Sequence, residues 1–190
     1  MSHDTAARKV YGVSLETITR RILRTFDRAT ASDIEAGARW YDEAGDLAET
    51  FAVHTGSVET AAAVIAALSP RTTWARNVAG AALLIEHGEV LPGLIGRNVE
   101  TARRAMIDGF EAITGPKTSA FARNIAGDRE AVTVDVWAAR VADLDEDLLS
   151  RKGAYDAVAH AYRTAARRRG VDPATMQATT WIVARNGRAS

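Results

Sequence analysis

Apolar residues recur at intervals of three and four along most of this chain, and that spacing predicts α-helices. Ser14 can cap a first amphipathic helix over residues 14–28, and Thr30 or Ser32 can cap a second that runs to about residue 51. The apolar stripe of the first helix consists of Leu15, Ile18, Ile22, Leu23 and Phe26. His54 follows the second helix and is expected in a loop.

The segment 58–68 is almost wholly apolar, with Ser57 as its cap. A helix that is apolar all round belongs at the centre of a fold. The pattern stops at Ser69-Pro70, because a residue that precedes proline avoids helical geometry. We therefore expect a buried central helix that ends in a tight loop.

Further helices follow from the same spacing and from capping residues. Their predicted ranges are 72–86, 98–108, 116–126, 135–141, 154–169 and 173–184. Residues 131–134 are the only extended candidate and are too few for a sheet. The sequence thus predicts an all-α fold with about nine or ten short helices.

The length and composition of the chain limit how many domains it can form and which kinds of binding site it can contain. A chain of 190 residues is expected to form one domain or one split domain, and we expect a single compact unit over residues 1–190. Because cysteine is absent, disulfides, thiolate zinc sites and cysteine-ligated iron–sulfur clusters are excluded. His54 has no second ligand at metal-binding spacing, and neither a metal nor a cofactor is expected. The N-terminus lacks a signal-peptide core and no apolar run reaches membrane-spanning length, so a cytoplasmic location is expected.

The formal net charge of the chain is zero, but acidic and basic residues are unevenly distributed along it. Residues 31–60 hold seven acidic side chains and one arginine, whereas residues 151–190 hold eight basic side chains and two acidic ones. Two interpretations stay open. The basic segment can form a face that follows the phosphates of a nucleic acid, or both segments are solvated helix faces.

Candidate chemistry lies between residues 113 and 141. A Gly115-Pro116 turn opens a helix that carries Lys117 on its first turn, and Asp135 starts another helix eighteen residues after the lysine. The positive end of a helix dipole favours the neutral, nucleophilic form of a lysine. An aspartate at an N-cap has its carboxylate held in a fixed direction. The two residues form a candidate active-site pair, although each alone is also explained as a surface lysine and a structural cap.

This stretch resembles a known family. Gly-Pro-Lys-Thr-Ser-Ala at residues 115–120, followed by Val-Asp-Val-Trp-Ala-Ala-Arg-Val at residues 134–141, is similar to the signature of the helix-hairpin-helix DNA glycosylase superfamily, in particular its endonuclease-III-like group. The resemblance implies that Lys117 is the Schiff-base lysine, Asp135 the catalytic aspartate and Arg140 the arginine of the same helix. It also implies a helical bundle of the glycosylase type.

A second stretch carries the same resemblance. Ala-Leu-Ser-Pro-Arg-Thr at residues 67–72 resembles the family's Leu-Ser-x-Gln-Thr loop, which sends a side chain into the space left by a flipped base. Arg71 falls on that position. The detailed resemblance covers residues 57–142, with residues 14–56 and 143–190 as flanking helices. It implies that DNA or the flipped base is contacted by Arg71, Trp74, Asn77, Gly115, Thr118, Trp137 and Arg140.

The chain departs from the family pattern in three ways. The hairpin keeps only Gly115 of the usual two glycines and has Glu111 close by. Trp137 replaces a histidine, and the cysteine cluster of many members is absent. Divergent glycosylase-fold proteins, many from phages and their bacterial hosts, are proposed to act on hypermodified thymine, and this compact chain resembles such a branch.

Three functions are therefore considered. The first is an enzyme that flips a modified or damaged base and acts at its N-glycosidic bond, with lyase chemistry through Lys117, or a relative that modifies thymine in phage DNA. The second is a non-catalytic module that binds nucleic acid, single-stranded or modified DNA included, or a protein. The third is a regulator that binds a protein through the acidic face of residues 31–60.

Overall fold

The computed structural model describes residues 2–187, and in that part of the chain the fold is all-α, as the sequence predicts. Ten α-helices and two short 3₁₀ helices are joined by loops, and no described residue belongs to a strand. The α-helices are α1 (His3–Tyr11), α2 (Leu15–Phe26), α3 (Ala31–Thr55), α4 (Val58–Leu68), α5 (Trp74–His87), α6 (Gly96–Asp108), α7 (Pro116–Ile125), α8 (Val136–Val141), α9 (Ala154–Arg169) and α10 (Pro173–Arg185). The 3₁₀ helices are Gly109–Ala112 and Glu146–Ser150.

The chain forms two compact units. The terminal unit consists of Met1–Trp40 with Arg129–Ser190, and the central unit consists of Tyr41–Asp128. Helix α3 is shared, because its first part, up to Trp40, belongs to the terminal unit. The segment 57–142, which carries the detailed glycosylase resemblance, therefore contributes to both units.

Capping residues start the helices where the sequence predicts. The cap of α3 is reciprocal: the Thr30 backbone N–H donates to Asp33 Oδ2 at 2.8 Å, and the Asp33 N–H donates to Thr30 Oγ1 at 3.2 Å. Thr30 rather than Ser32 thus caps α3. Other caps accept a hydrogen bond from the third helical N–H, namely Ser14, Ser57, Thr73 and Asp172.

One predicted boundary is wrong and one helix was not predicted. Helix α3 continues to Thr55, so His54 lies in a helix and not in a loop. No residue between Phe51 and Thr55 breaks a helix, and the chain leaves α3 at Gly56, whose φ is +82°. Helix α1 escaped prediction because its buried residues are small alanines, which give a weak apolar pattern.

Helix α9 lies at the centre of the terminal unit, where it packs against α1, α2 and α10. Its buried face combines small side chains with Val158 and Tyr162. Helix α2 meets the same core with Ile18 and Ile22. Helix α3 approaches α10 so closely at Gly37 that a Cβ there would lie 2.3 Å from Thr179 Oγ1. The terminal unit is therefore assembled from segments far apart in sequence.

Helix α4 lies at the centre of the central unit. All residues from Ala61 to Leu68 are buried, and α4 packs against α5, α6, α7 and the 3₁₀ helix Gly109–Ala112. This confirms the prediction that the helix that is apolar all round is central. Because α4 contacts both α5 and α7, it holds the loop after its own C-terminus and the first turn of α7 within one unit.

Candidate functional site

Arg71 lies in the loop between α4 and α5, in the central unit. Its φ is 60°, a left-handed conformation that is uncommon for a residue other than glycine. Two side chains hold the loop: Ser69 Oγ donates to Ala66 O at 2.8 Å, and Asn98 Nδ2, from α6, donates to Pro70 O at 3.1 Å. The Arg71 side chain is exposed and has no hydrogen bond or ion pair with another residue in the described part of the chain.

Trp74 connects the start of α5 to α7. Its half-buried ring meets the ring of Phe121 edge to face, with centroids 6.4 Å apart. Lys117 and Phe121 are four residues apart on α7 and therefore share one face of that helix. The helix that follows the Arg71 loop thus contacts, through Trp74, the face of α7 that carries Lys117.

Lys117 lies on the first turn of α7, as the sequence predicts. It is exposed, and within residues 2–187 no hydrogen bond or ion pair engages its ammonium group. Gly115 has φ −83°, and a Cβ there would meet only Thr118 Oγ1, at 3.8 Å. Neither backbone conformation nor crowding within the chain therefore requires glycine at this position.

Asn77 lies on α5, three residues after Trp74, and is 1 % exposed. Neither its Nδ2 nor its Oδ1 has a hydrogen-bond partner among the described residues. A buried polar group without a partner costs about 1–3 kcal/mol. In this conformation the carboxamide is closed off from solvent, in contrast to the exposed Arg71.

Asp135 caps α8 in the terminal unit, as the sequence predicts. Its Oδ1 accepts a hydrogen bond from the Ala138 backbone N–H at 2.8 Å, and the residue is half-buried. The cap fixes the direction of the carboxylate.

Tyr155, on α9, binds the segment of residues 131–134 that leads to Asp135. The Tyr155 hydroxyl donates to Val132 O at 2.9 Å and accepts from the Val134 N–H at 3.1 Å. One side chain thus satisfies the backbone groups that a neighbouring strand would otherwise satisfy. Burial raises the pKa of Tyr155 to about 12, so the hydroxyl keeps its proton and remains a donor at neutral pH.

Tyr162, two turns further along α9, contacts helix α8, which follows Asp135. Its hydroxyl donates to Ala138 O at 3.3 Å and accepts from Thr180 Oγ1 at 3.5 Å. Burial raises the pKa of Tyr162 well above its usual value. Neither tyrosine is among the site residues that the sequence predicts. The sequence feature that could have indicated them is their spacing, because two tyrosines seven residues apart lie on the same face of a helix.

Arg140 and Trp137 lie on α8, and the guanidinium of Arg140 is already engaged. Its Nε and Nη2 donate to Glu146 Oε2 and Oε1 at 2.7 and 3.0 Å, and its Cζ lies 5.3 Å from the centroid of the Trp137 ring. The hydrogen bond to Glu146 raises the pKa of Arg140. The positive charge predicted to contact DNA is therefore paired with a carboxylate.

The arginine-rich end of α9 is also paired with carboxylates. Arg168 forms two hydrogen bonds to Glu16 at 2.9 and 2.7 Å, and Arg169 forms two to Asp27 at 2.7 and 2.6 Å. These bonds lower the pKa of both carboxyl groups. Since both arginines join α9 to the ends of α2, this favours the interpretation of the basic segment as helix surface.

The acidic segment 31–60 lies mostly on α3. Asp33 is buried in the cap of that helix, and Glu35 pairs with Arg39 at 3.1 Å. The remaining acidic residues of α3 are exposed, namely Asp42, Glu43, Asp46 and Glu49. The segment therefore presents negative charge to solvent.

Neither a metal-binding cluster nor a membrane-spanning helix is found among the described residues. Across residues 2–187, no group of three or more histidine, aspartate or glutamate side chains is arranged to hold a metal ion. In the same range, no single helix combines the length and the apolar character needed to cross a membrane.

The predicted site residues fall into two groups. The central unit contains Arg71, Trp74, Asn77, Gly115, Lys117 and Thr118, and the terminal unit contains Asp135, Trp137 and Arg140. Within the central unit, the Trp74–Phe121 contact links the elements that carry Arg71 and Lys117. Within the terminal unit, the three residues share the short helix α8 and its cap.

Comparison with known proteins identifies the family of this chain. No curated protein and no solved structure matches the chain. A model described as "Family of unknown function (DUF7178)" matches residues 4–188, a range that includes both groups of candidate residues. The chain therefore belongs to the DUF7178 family.

Proposed function

We propose that this protein is a DNA glycosylase-like enzyme that flips a modified or damaged base out of the stack and acts at its N-glycosidic bond, with Lys117 as Schiff-base nucleophile. The observation that carries the proposal is the contact of Trp74 with Phe121, one helical turn from Lys117. That contact supports a shared role for the Arg71 loop and for an exposed lysine that has no ion-pair partner in the described chain.

Arg71 is suited to fill the space left by the flipped base. Extrusion of a base costs a few kcal/mol, and a side chain that occupies the gap offsets part of that cost. Arg71 is long, exposed and carried by a loop that Ser69 and Asn98 hold at two points. Residues kept in a left-handed conformation cluster at functional sites, and φ of 60° is consistent with such a use.

The proposed chemistry balances without a cofactor. The neutral amine of Lys117 attacks C1′ as the bond from C1′ to the base breaks, and the electron pair of that bond leaves with the base, which takes up a proton. Loss of a proton from nitrogen and opening of the sugar ring give a Schiff base between Nζ and C1′. Removal of a C2′ proton then expels the 3′ phosphate, and water releases Lys117. The proposal assigns Asp135 to stabilise the positive charge that develops on the sugar.

The test is borohydride trapping on DNA with abasic sites and modified pyrimidines. Borohydride reduces a Schiff base to a stable amine, so a reacting lysine becomes covalently attached to DNA. The chain has three lysines, Lys9, Lys117 and Lys152, all exposed, so two matched controls exist. We expect an adduct with the wild type, Lys9→Ala and Lys152→Ala, and none with Lys117→Ala.

Each other outcome has a defined meaning. An adduct that survives Lys117→Ala contradicts the assignment of the nucleophile, and mass spectrometry of the adducted peptide would identify the amine responsible. Release of the base without any adduct, lost in Asp135→Asn, would leave a glycosylase without lyase activity. A base that changes mass without being released would indicate the thymine-modifying alternative. DNA that is neither changed nor bound would overturn the proposal.

A non-catalytic nucleic-acid-binding module is the second candidate. It is favoured by the terminal unit, where Asp135 caps α8 and Arg140 is paired with Glu146. Both side chains thereby have structural roles that need no substrate. On this reading, DNA binding survives both Lys117→Ala and Asp135→Asn, and the wild type gives neither adduct nor free base.

A further inference from the structure

A cavity of about 170 Å³ lies beside the Arg71 loop, entirely within the central unit. It is bounded by that loop, by the start of α5 and by the segment that leads into α6. Its apolar wall is formed by Leu68, Leu94 and Ile95, and its polar rim includes Arg71, Thr72 and Arg76. The glycosylase function proposed above shares Arg71 with this cavity and uses no other residue that lines it.

The rim carries the guanidinium groups of Arg71 and Arg76, and neither forms an ion pair within residues 2–187. Arg76 Nη2 donates to the carbonyl of Pro92, and a Cβ at Gly93 would lie 2.9 Å from that nitrogen. The guanidinium is thus held in place by a neutral acceptor, whereas Arg140 is held by a carboxylate. Among the described residues that line the cavity, none carries a carboxylate.

The start of α5 adds to this positive potential. Thr73 lines the cavity and caps the 14-residue helix α5, whose first N–H groups carry the positive end of the dipole. Two guanidinium groups and a helix N-terminus on one rim favour an anion with several oxygen atoms, such as a phosphate.

The apolar wall requires that the ligand have more than a phosphate. One water occupies about 30 Å³, and pockets for drug-sized ligands begin at about 300 Å³, so this cavity suits a sugar or a single pyrimidine ring. We propose that the cavity binds one nucleoside monophosphate unit, with its phosphate at Arg71 and Arg76 and its ring against Leu68, Leu94 and Ile95. The source is either a free nucleotide or one nucleotide of a strand. This inference stands independently of the reaction at Lys117.

The test is calorimetric or NMR titration of the intact chain with thymidine 5′-monophosphate. Thymidine, inorganic phosphate and a thymidine tetranucleotide serve as separate arms. We expect the monophosphate to bind at least about tenfold more tightly than thymidine or phosphate alone. Thymidine lacks the phosphate that contacts the arginines, and inorganic phosphate lacks the ring that contacts the apolar wall. Tighter binding of the tetranucleotide identifies a strand as the source, and equal or weaker binding identifies a free nucleotide.

The variants test where the phosphate lies. Arg76→Ala should weaken binding of the monophosphate by about tenfold. Arg76→Lys keeps the positive charge but loses the planar guanidinium that can donate two parallel hydrogen bonds, so it should weaken binding less. Arg97→Ala is the matched control, because Arg97 is an exposed arginine of the same unit that does not line the cavity. An unchanged circular dichroism melt would show that each variant is folded.

Three results would overturn this inference. Phosphate alone binding as tightly as the monophosphate would show a simple anion site. An equal loss in Arg97→Ala and Arg76→Ala would show general attraction by positive charge. The absence of binding at millimolar concentrations of every probe would leave the cavity without this ligand. None of these results bears on borohydride trapping at Lys117, so the two proposals fail separately.

Discussion

Asn77 combines near-complete burial with a carboxamide that has no hydrogen-bond partner in the described chain. Stability alone does not favour such a group, because an apolar side chain of similar shape avoids the cost of desolvating the amide. Groups that break a local rule in this way concentrate at functional sites. Asn77 lies three residues after Trp74, on the helix that follows the Arg71 loop.

Replacing Asn77 by leucine should raise the free energy of unfolding by about 1–2 kcal/mol, because the unpaired amide is removed and the new side chain has the same number of heavy atoms with the same branching. Urea unfolding followed by circular dichroism measures the change. Asn124→Leu is the matched control, since Asn124 is equally buried but its Nδ2 donates to Asp128 O at 2.8 Å. That variant should lose about 1–3 kcal/mol. Equal destabilisation of both variants would show that Asn77 is hydrogen-bonded in solution.

At the scale of elements, the segment before α8 depends on a helix distant in sequence. Residues 131–134 belong to neither a helix nor a strand, and Tyr155 satisfies two of their backbone groups. Tyr162 binds the Ala138 carbonyl beyond Asp135. The direction of the Asp135 carboxylate therefore depends on α9 as well as on its own cap.

Tyr155→Phe should lower the free energy of unfolding by about 1–3 kcal/mol, because Val132 O and the Val134 N–H lose their partner. The amide of Val134 should also exchange its hydrogen faster, as measured by NMR. Tyr11→Phe provides the comparison, since the Tyr11 hydroxyl is buried and has no partner among residues 2–187. By the argument used for Asn77, its removal should leave the free energy of unfolding unchanged or raise it. An unaffected Val134 amide in Tyr155→Phe would contradict the assigned role.

At the scale of the whole molecule, the terminal unit joins the two ends of the chain. Helix α1 packs on α9, where the rings of His3 and His160 stack with centroids 4.3 Å apart. Burial, followed by the neighbouring His3, Arg167 and Arg163, lowers the pKa of His160 from its ordinary value of 6.5. Protonation of His160 is therefore less favourable in the folded chain than in the unfolded one.

The free energy of unfolding should consequently fall as the pH drops below 6.5. The unfolded chain binds a proton at His160 near that pH, the folded chain binds it only at lower pH, and the stabilising contribution is complete above 6.5. Urea unfolding on both sides of pH 6.5 measures the effect. His160→Phe keeps a ring beside His3 and should reduce the pH dependence, whereas alanine at the exposed His54 should not. An unchanged pH dependence in His160→Phe would assign it to other groups.

The sequence predicted the local features well, for reasons that lie within a few residues of each one. Ser57, Thr73 and Asp135 cap their helices because a short polar side chain reaches the N–H three residues later. The burial of α4 followed from its composition, since it has no polar face to offer to solvent. The position of Lys117 on the first turn of α7 followed from the proline that precedes it.

The candidate site was predicted only in part, because burial and pairing depend on distant residues. Asn77 and Arg71 are both polar positions in one short stretch, but one is buried and the other exposed. The role of Tyr155 required knowledge that α9 lies beside residues 131–134. The combined action of Lys117 and Asp135, and the glycosylase resemblance itself, stay predictions that the experiments above address.

The sequence by itself determined most of the helices, most of their caps and the central place of α4, because hydrogen bonds and apolar periodicity within one helix decide these features. Tertiary structure alone decided which arginines are neutralised. Arg168 finds Glu16 at a separation of 152 residues, whereas Arg71 and Arg76 border a cavity whose described lining has no carboxylate. Charge pairing acts through space, and a sequence does not show which side chains folding brings within a few ångströms of one another.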